Sequence, residues 1–196
     1  VNATALAEQR WGAAQDCHSI IYITVGTGIG VGVIINNQLV HGAMHPESGH
    51  ICLPQLAVDD FAGVCPFHGN CLEGLASGPA LKERWQVDSA LDLADEHQAW
   101  DWEAEYLAAA IYNYVLCYAP MRVIMGGGVM RHHGLIEKIR PLFVARMNGY
   151  VAHDYINAVD QYIVLAGLAE NAGVAGALAL AEQAHYKPNQ HQQPAE

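Results

Sequence analysis

Apolar positions along the chain follow two periods, and one long stretch follows neither. Ala3, Leu6, Ala7, Trp11 and Ala14 recur at helical spacing and predict an amphipathic helix with these residues as its buried stripe. Ile20 to Val25 is β-branched and aromatic without polar alternation, which marks a strand covered on both faces. A second apolar run, Val31 to Ile35, ends at the turn signal Asn36-Asn37, and Leu39-Val40 resumes beyond it. Three strands in a meander are therefore expected. Leu107 to Tyr118 is an almost wholly apolar helix that stops before Pro120, and Arg122 to Met125 reads as a buried strand running into Gly126-Gly127-Gly128. Helix follows from Gly134, with a kink or restart expected at Pro141. Tyr162 to Leu165 supplies a last strand, and Glu170 to Ala184 an Ala-rich helix. This order predicts one α/β domain over residues 1–184, a mixed sheet with flanking helices. Residues 185–196 are Gln, Asn and Pro with little to bury, and a disordered tail is expected there.

Between His41 and Gly78 both periods lapse, while Gly, Pro, His and Cys accumulate. A loop of that length needs something other than its own apolar core to order it. Val87 to Glu105 carries many carboxylates and no second such loop composition; it reads as solvated helix faces around Leu91, Ala94 and Trp100. With 52% hydrophobic and 15% charged residues the chain as a whole is expected to fold. Nine basic against twenty acidic residues give a net charge of -11, which opposes binding to phosphate backbones and anionic lipid. No nucleic-acid or membrane partner is expected. No apolar run approaches the roughly 18 residues of a span, and the start has no signal-peptide pattern, so a soluble, cytoplasmic protein is expected.

Cys17, Cys52, Cys65, Cys71 and Cys117 are odd in number and irregular in spacing, which suits reduced thiols better than a disulfide framework. Cys65, His68 and Cys71 nevertheless stand at three-residue intervals inside the patternless stretch, with His50 upstream. Four soft or borderline donors are the set a tetrahedral structural zinc site takes, and bound zinc contributes on the order of 10 kcal/mol to folding. The alternative is a turn that happens to contain Cys and His. Gly26, Gly28, Gly30 and Gly32 alternate, so in an extended hairpin they clear one face for close approach, by a phosphate for example. A strand follows them, so this is no Rossmann fingerprint, and sheet curvature is the competing explanation. Gly126-Gly127-Gly128 is either a second close approach or a tight strand-to-helix connection. Glu47 precedes His50 and Glu73 follows Cys71; a clamped loop brings both carboxylates to one point, where they and His50 can read sugar hydroxyls. Two exposed loop carboxylates are the plainer alternative.

Taken together, Thr24-Val25-Gly26-Thr27-Gly28-Ile29-Gly30, Glu47-Ser48-Gly49-His50, Cys65 to Cys71 followed by Leu72-Glu73-Gly74-Leu75-Ala76-Ser77-Gly78-Pro79, and Gly126-Gly127-Gly128-Val129 resemble the ROK family of bacterial sugar kinases and sugar-responsive repressors. The form Cys-Pro-Phe-His-Gly-Asn-Cys is similar to its fructokinase branch, and the resemblance runs from Val1 to about Ala184. It implies the second domain of an actin-like, ribonuclease-H-like fold and ATP-dependent phosphorylation of fructose or a related hexose. It further implies zinc on His50, Cys65, His68 and Cys71, and sugar contacts from Glu47, His50 and Glu73. ATP, with magnesium, falls to Gly26, Thr27, Gly28 and Gly30, and Gly126, Gly127, Gly128 and Pro79 border the adenosine. A homodimer is implied as well. The segment Asn2-Ala3-Thr4-Ala5-Leu6-Ala7-Glu8 resembles the one that follows the family's catalytic Asp, expected immediately before Val1. The chain opens without Met and within a helical pattern, so it is expected to be part of a longer protein and inactive alone. The competing function is the sugar-sensing effector domain of a ROK repressor.

Overall fold

The computed structural model describes residues 1–168 and 171–186. β1 (Ile20–Val25) occupies the middle of a five-stranded sheet because both of its faces are apolar. β2 (Ile29–Ile35) runs antiparallel to it, with Tyr22 opposite Gly32 and Val25 opposite Ile29. Asn36 and Asn37 take positive φ of 51° and 63°, the turn geometry that matches strand twist, and lead into the short β3 (Gln38–Leu39). On the other side β4 (Arg122–Gly126) lies parallel to β1, and β5 (Ile163–Leu165) parallel to β4, giving the order β3-β2-β1-β4-β5. This is the mixed sheet of an actin-like fold that the resemblance implies.

Side-chain alternation along β1 splits the interior in two. Ile20 and Tyr22 enter one apolar cluster, Ile21, Ile23 and Val25 the other. The first is closed by α1 (Asn2–Trp11) and α8 (Ala172–Tyr186), which pack on each other. The second and larger cluster is closed by α4 (Ala99–Tyr118) and α5 (Leu135–Met147), joined by the short α2 (Leu72–Ala76) and α3 (Gly78–Trp85). The small helices α6 (Asp154–Asn157) and α7 (Val159–Tyr162) lead into β5.

Several elements depart from their expected form. The buried stripe of α1 is Ala5, Leu6, Ala7 and Glu8, while Trp11 is 42% exposed. Glu8 is tolerated inside because its carboxylate accepts N–H groups from Ala13, Gly167 and Leu168 at 2.8–3.0 Å. Leu91 lies outside and Glu103 is fully buried, so the acidic stretch is not uniformly solvated. α5 continues through Pro141 without restarting. α8 extends to Tyr186, two residues into the stretch expected as a tail, and the remainder, 187–196, lies outside the described residues. Among the described residues no helix is long and apolar enough to cross a membrane.

Candidate functional site

The loop over residues 41–78 closes on itself at one knuckle. Cys65 and Gly69 exchange backbone hydrogen bonds, and Gly69 turns the chain at φ 62°, which brings His68 back toward Cys65. Leu72 N–H donates to the Ile51 carbonyl, so α2 begins beside the single 3₁₀ turn Ser48–His50. The result is a cluster of His50, Cys65, His68 and Cys71 whose donor atoms all lie within 4.8 Å of one another. His50 Nδ1 is 3.6 Å from Cys65 Sγ and 3.5 Å from Cys71 Sγ, and His68 Nδ1 is 3.6 Å from Cys65 Sγ. A tetrahedral ion with bonds of about 2.3 Å to sulfur and 2.0–2.1 Å to nitrogen has S···N edges of about 3.5 Å, so the donor set and its spacing fit zinc. Burial opposes ionisation of Cys65, but the backbone N–H groups of Phe67 and His68, with help from Cys71 and His68, outweigh it and bring the thiol down to about 6. Burial and the neighbouring Cys65 push Cys71 up. All five cysteines are free thiols.

The alternate glycines divide into two groups. A Cβ on Gly30 would stand 3.3 Å from Val1, and one on Gly32 would stand 3.1 Å from the Ala5 Cβ. These two therefore admit α1 against the sheet, and the expectation that all four clear a face for a ligand is corrected at Gly30 and Gly32 by helix packing. Gly26-Thr27-Gly28 is different: it is the turn between β1 and β2, closed by Gly26 N–H to the Gly28 carbonyl at 2.9 Å, with Thr27 exposed. Gly78 N–H donates to the Gly26 carbonyl at 2.7 Å, which sets the first turn of α3, including the exposed Pro79, against this turn. Ser77 caps α3 by accepting the Ala80 N–H. A Cβ on Gly26 would meet the Gly128 backbone nitrogen at 3.8 Å, so the second glycine run reaches the same place.

Within that second run each glycine has its own reason. Gly126 admits the Tyr22 hydroxyl, Gly127 has φ 96° over the Val25 carbonyl, and Gly128 faces open space. Behind them lies a cavity of about 460 Å³, lined on its apolar side by Met125, Met130, Ile136 and Leu165. The turn Gly26–Gly28 and the open side of Gly128 thus adjoin a recess of mixed apolar and polar lining, a layout able to hold a nucleotide beside a helix N-terminus and two glycine turns.

The carboxylates sit on the other side of the same hairpin. Glu73 Oε2 accepts the Ile29 N–H at 2.9 Å, and Oε1 lies 3.8 Å from His50 Nε2. Glu47 is exposed and lines a cavity of about 320 Å³ with Val1, Asn2, Ile29 and Gly49. Glu47, His50 and Glu73 are therefore grouped around Ile29, next to the first residue of the chain.

One group was invisible to spacing. Asp59 is buried in the loop, where it accepts from Tyr106 Oη at 2.5 Å, from Arg84 at 3.1 Å and from the Phe61 N–H at 3.1 Å. Arg84 also lies over the Phe61 ring. Part of the loop is thus pinned by an ion pair and by Leu53, Leu72 and Leu75 in the larger apolar cluster, which corrects the expectation of a loop without core contacts. No sequence signal separates Asp59 from the exposed Asp60 beside it.

Residues 1–184 match the family described as ROK. The chain is 42% identical over 184 residues to a fructokinase of Pediococcus pentosaceus, covering 94% of this chain and 62% of that one. It is 41% identical over 191 residues to a fructokinase of Zymomonas mobilis, covering 95% and 62%. The chain thus spans 62% of the length of these curated relatives. Among solved structures, a ROK family glucokinase from Streptomyces griseus in complex with glucose and AMPPNP superposes with a TM-score of 0.68 at 27% identity, covering 93% of this chain and 66% of that one. The match over residues 1–184, nearly all of the described residues, makes this chain a member of the ROK family.

Proposed function

We propose that the whole protein transfers the γ-phosphoryl group of ATP to a hydroxyl of fructose or a related hexose, and that this chain supplies the nucleotide- and metal-binding part. The observation that carries the reading is the convergence of Gly26–Gly28, Gly128 and the first turn of α3 beside a recess of mixed lining, with Glu47, His50 and Glu73 grouped near Ile29 at the end of the same turn. Phosphoryl transfer needs positioning and charge stabilisation more than covalent chemistry, and bare backbone N–H groups provide both. In this reading Gly26, Thr27 and Gly28 hold the phosphates, and Gly126, Gly127, Gly128 and Pro79 border the adenosine. Glu47 and Glu73 accept hydrogen bonds from sugar hydroxyls, and His50 faces the same hydroxyls. His50, Cys65, His68 and Cys71 hold zinc, which orders the loop. Magnesium arriving with ATP supplies charge neutralisation at the phosphates.

We infer that the carboxylate accepting the attacking hydroxyl's proton lies just before Val1 in the whole protein, and such a base is worth about 10²–10⁴-fold in rate. The isolated 196-residue chain is therefore expected to show no measurable turnover. The test is ADP release by the full-length protein with fructose, glucose and mannose, run beside this chain alone and with sedimentation to check for the homodimer. Activity in the full-length protein and none in the fragment supports the reading. A full-length protein that binds hexose and a DNA operator but releases no ADP makes it a repressor.

A further inference from the structure

His50 and Glu73 each face two ways. His50 turns Nδ1 toward Cys65 and Cys71 and Nε2 toward Glu73. Glu73 accepts the N–H of Ile29, the first residue of β2 after the Gly26–Gly28 turn, at 2.9 Å with one carboxylate oxygen, and its other oxygen stands 3.8 Å from His50 Nε2, facing it from beyond hydrogen-bond length. Gly28 is bound into the same contact, since a Cβ there would stand 2.6 Å from Glu73 Oε2. A carboxylate that accepts the far N–H of a metal-binding imidazole fixes the ring's tautomer and orientation, and Glu73 faces that nitrogen at 3.8 Å, one small closure short of the contact. Here that carboxylate is itself held by the backbone of the phosphate turn.

The geometry points to Glu73 as a positioning residue that links the metal cluster to the phosphate turn, so that metal and nucleotide each strengthen the other's binding. The inference rests on the proposed zinc and phosphate roles of these two places. With metal on Nδ1, His50 carries its proton on Nε2 and aims it at Glu73. Glu73 then stays seated on Ile29 and holds the turn in the shape that phosphate needs. Losing either end frees the carboxylate from the other. Linkage makes the effect reciprocal, with 5–150-fold as the usual span.

The experiment follows zinc, not turnover. Full-length protein is mixed with a chromophoric chelator, and the rate of zinc loss is measured with and without a non-hydrolysable ATP analogue. The analogue is expected to slow zinc loss by about 10-fold, within the ordinary coupling range. Glu73→Gln keeps an oxygen for the Ile29 N–H but presents an amide N–H to the His50 N–H, so it should still bind one zinc while losing the analogue's effect. Gly28→Ala touches none of the four donors, yet it should speed zinc loss in the wild-type background and add nothing in the Glu73→Gln background. If Gly28→Ala fails to fold, the wild-type and Glu73→Gln comparison decides. Zinc loss that ignores a bound analogue in the wild type overturns the link and leaves the proposed function standing. Protein that binds no zinc, or no nucleotide, overturns both.

Discussion

The sheet and the loop over residues 41–78 are ordered by different means. In the sheet, Ile20, Ile21, Ile23, Val25, Val123, Ile124 and Met125 are at most 1% exposed, and each touches a helix layer that many other side chains also touch. Order there is spread over many weak contacts, any one of which can be lost. In the loop, Met44, Val58 and Phe67 are 69%, 73% and 84% exposed, and the apolar anchors are few. Besides Leu53, Leu72 and Leu75, it is held by one buried ion pair and carries the cluster of four donors proposed for zinc. The loop is also where Glu47, His50 and Glu73 stand, so the residues proposed to face a hexose lie in the part of the molecule with fewer apolar supports than the sheet.

That contrast is broken most forcefully at the donors. If zinc is held as proposed, Cys65→Ser with Cys71→Ser removes both sulfur donors, and with them a contribution on the order of 10 kcal/mol. Amide exchange should rise across residues 41–71 while β1, β2 and β4 stay protected. A loop that remains protected and protease-resistant would show that the cluster is not what orders it. The next effect in size comes from the ion pair. Arg84→Met leaves Asp59 charged and buried with Tyr106 as its remaining side-chain partner, at a cost of about 3–5 kcal/mol. Adding Asp59→Leu should recover much of that loss, since apolar pairs replace buried ion pairs at little cost. Denaturant unfolding of the two variants checks the order.

The same contrast explains what the sequence could show. β1 and β4 were legible because a buried strand must be apolar on both sides, and the Asn36-Asn37 turn because its residue type fits its positive φ. Cys65, His68 and Cys71 were legible because metal donors are rare residues at regular spacing. Glycine alternation was half legible: it marks close approach without naming what approaches, and Gly30 and Gly32 turned out to face α1. Gly28 adds a warning, since its Cβ position is taken by Glu73, so a bulky residue there tests packing as well as phosphate binding. Asp59 and Glu8 were illegible, because each carboxylate is buried by partners distant in sequence: Arg84 and Tyr106 for the first, Gly167 and Leu168 for the second.

Glu103 gives the smallest and most specific test, because it stands where the helix layer over the sheet meets the support of the loop. Its carboxylate is fully buried on α4, and among the described residues neither oxygen has a hydrogen-bond partner. Burial holds its pKa well above the ordinary glutamate value, with the Arg84 guanidinium pulling weakly the other way. The folded state therefore keeps a proton that the unfolded chain gives up. Its stabilising effect is whole below the unfolded glutamate value of about 4.5 and declines as pH rises through and beyond it toward the folded value. Glu103→Gln keeps the shape and removes the titration. As pH rises above the ordinary glutamate value the wild-type protein should lose more stability than the variant, the two melting temperatures diverging as the solution becomes more alkaline. Parallel curves would mean that Glu103 is ionised in the folded protein and paired with Arg84, which would place a second carboxylate in the Asp59 network and make that junction, not the apolar cluster, the support the two regions share.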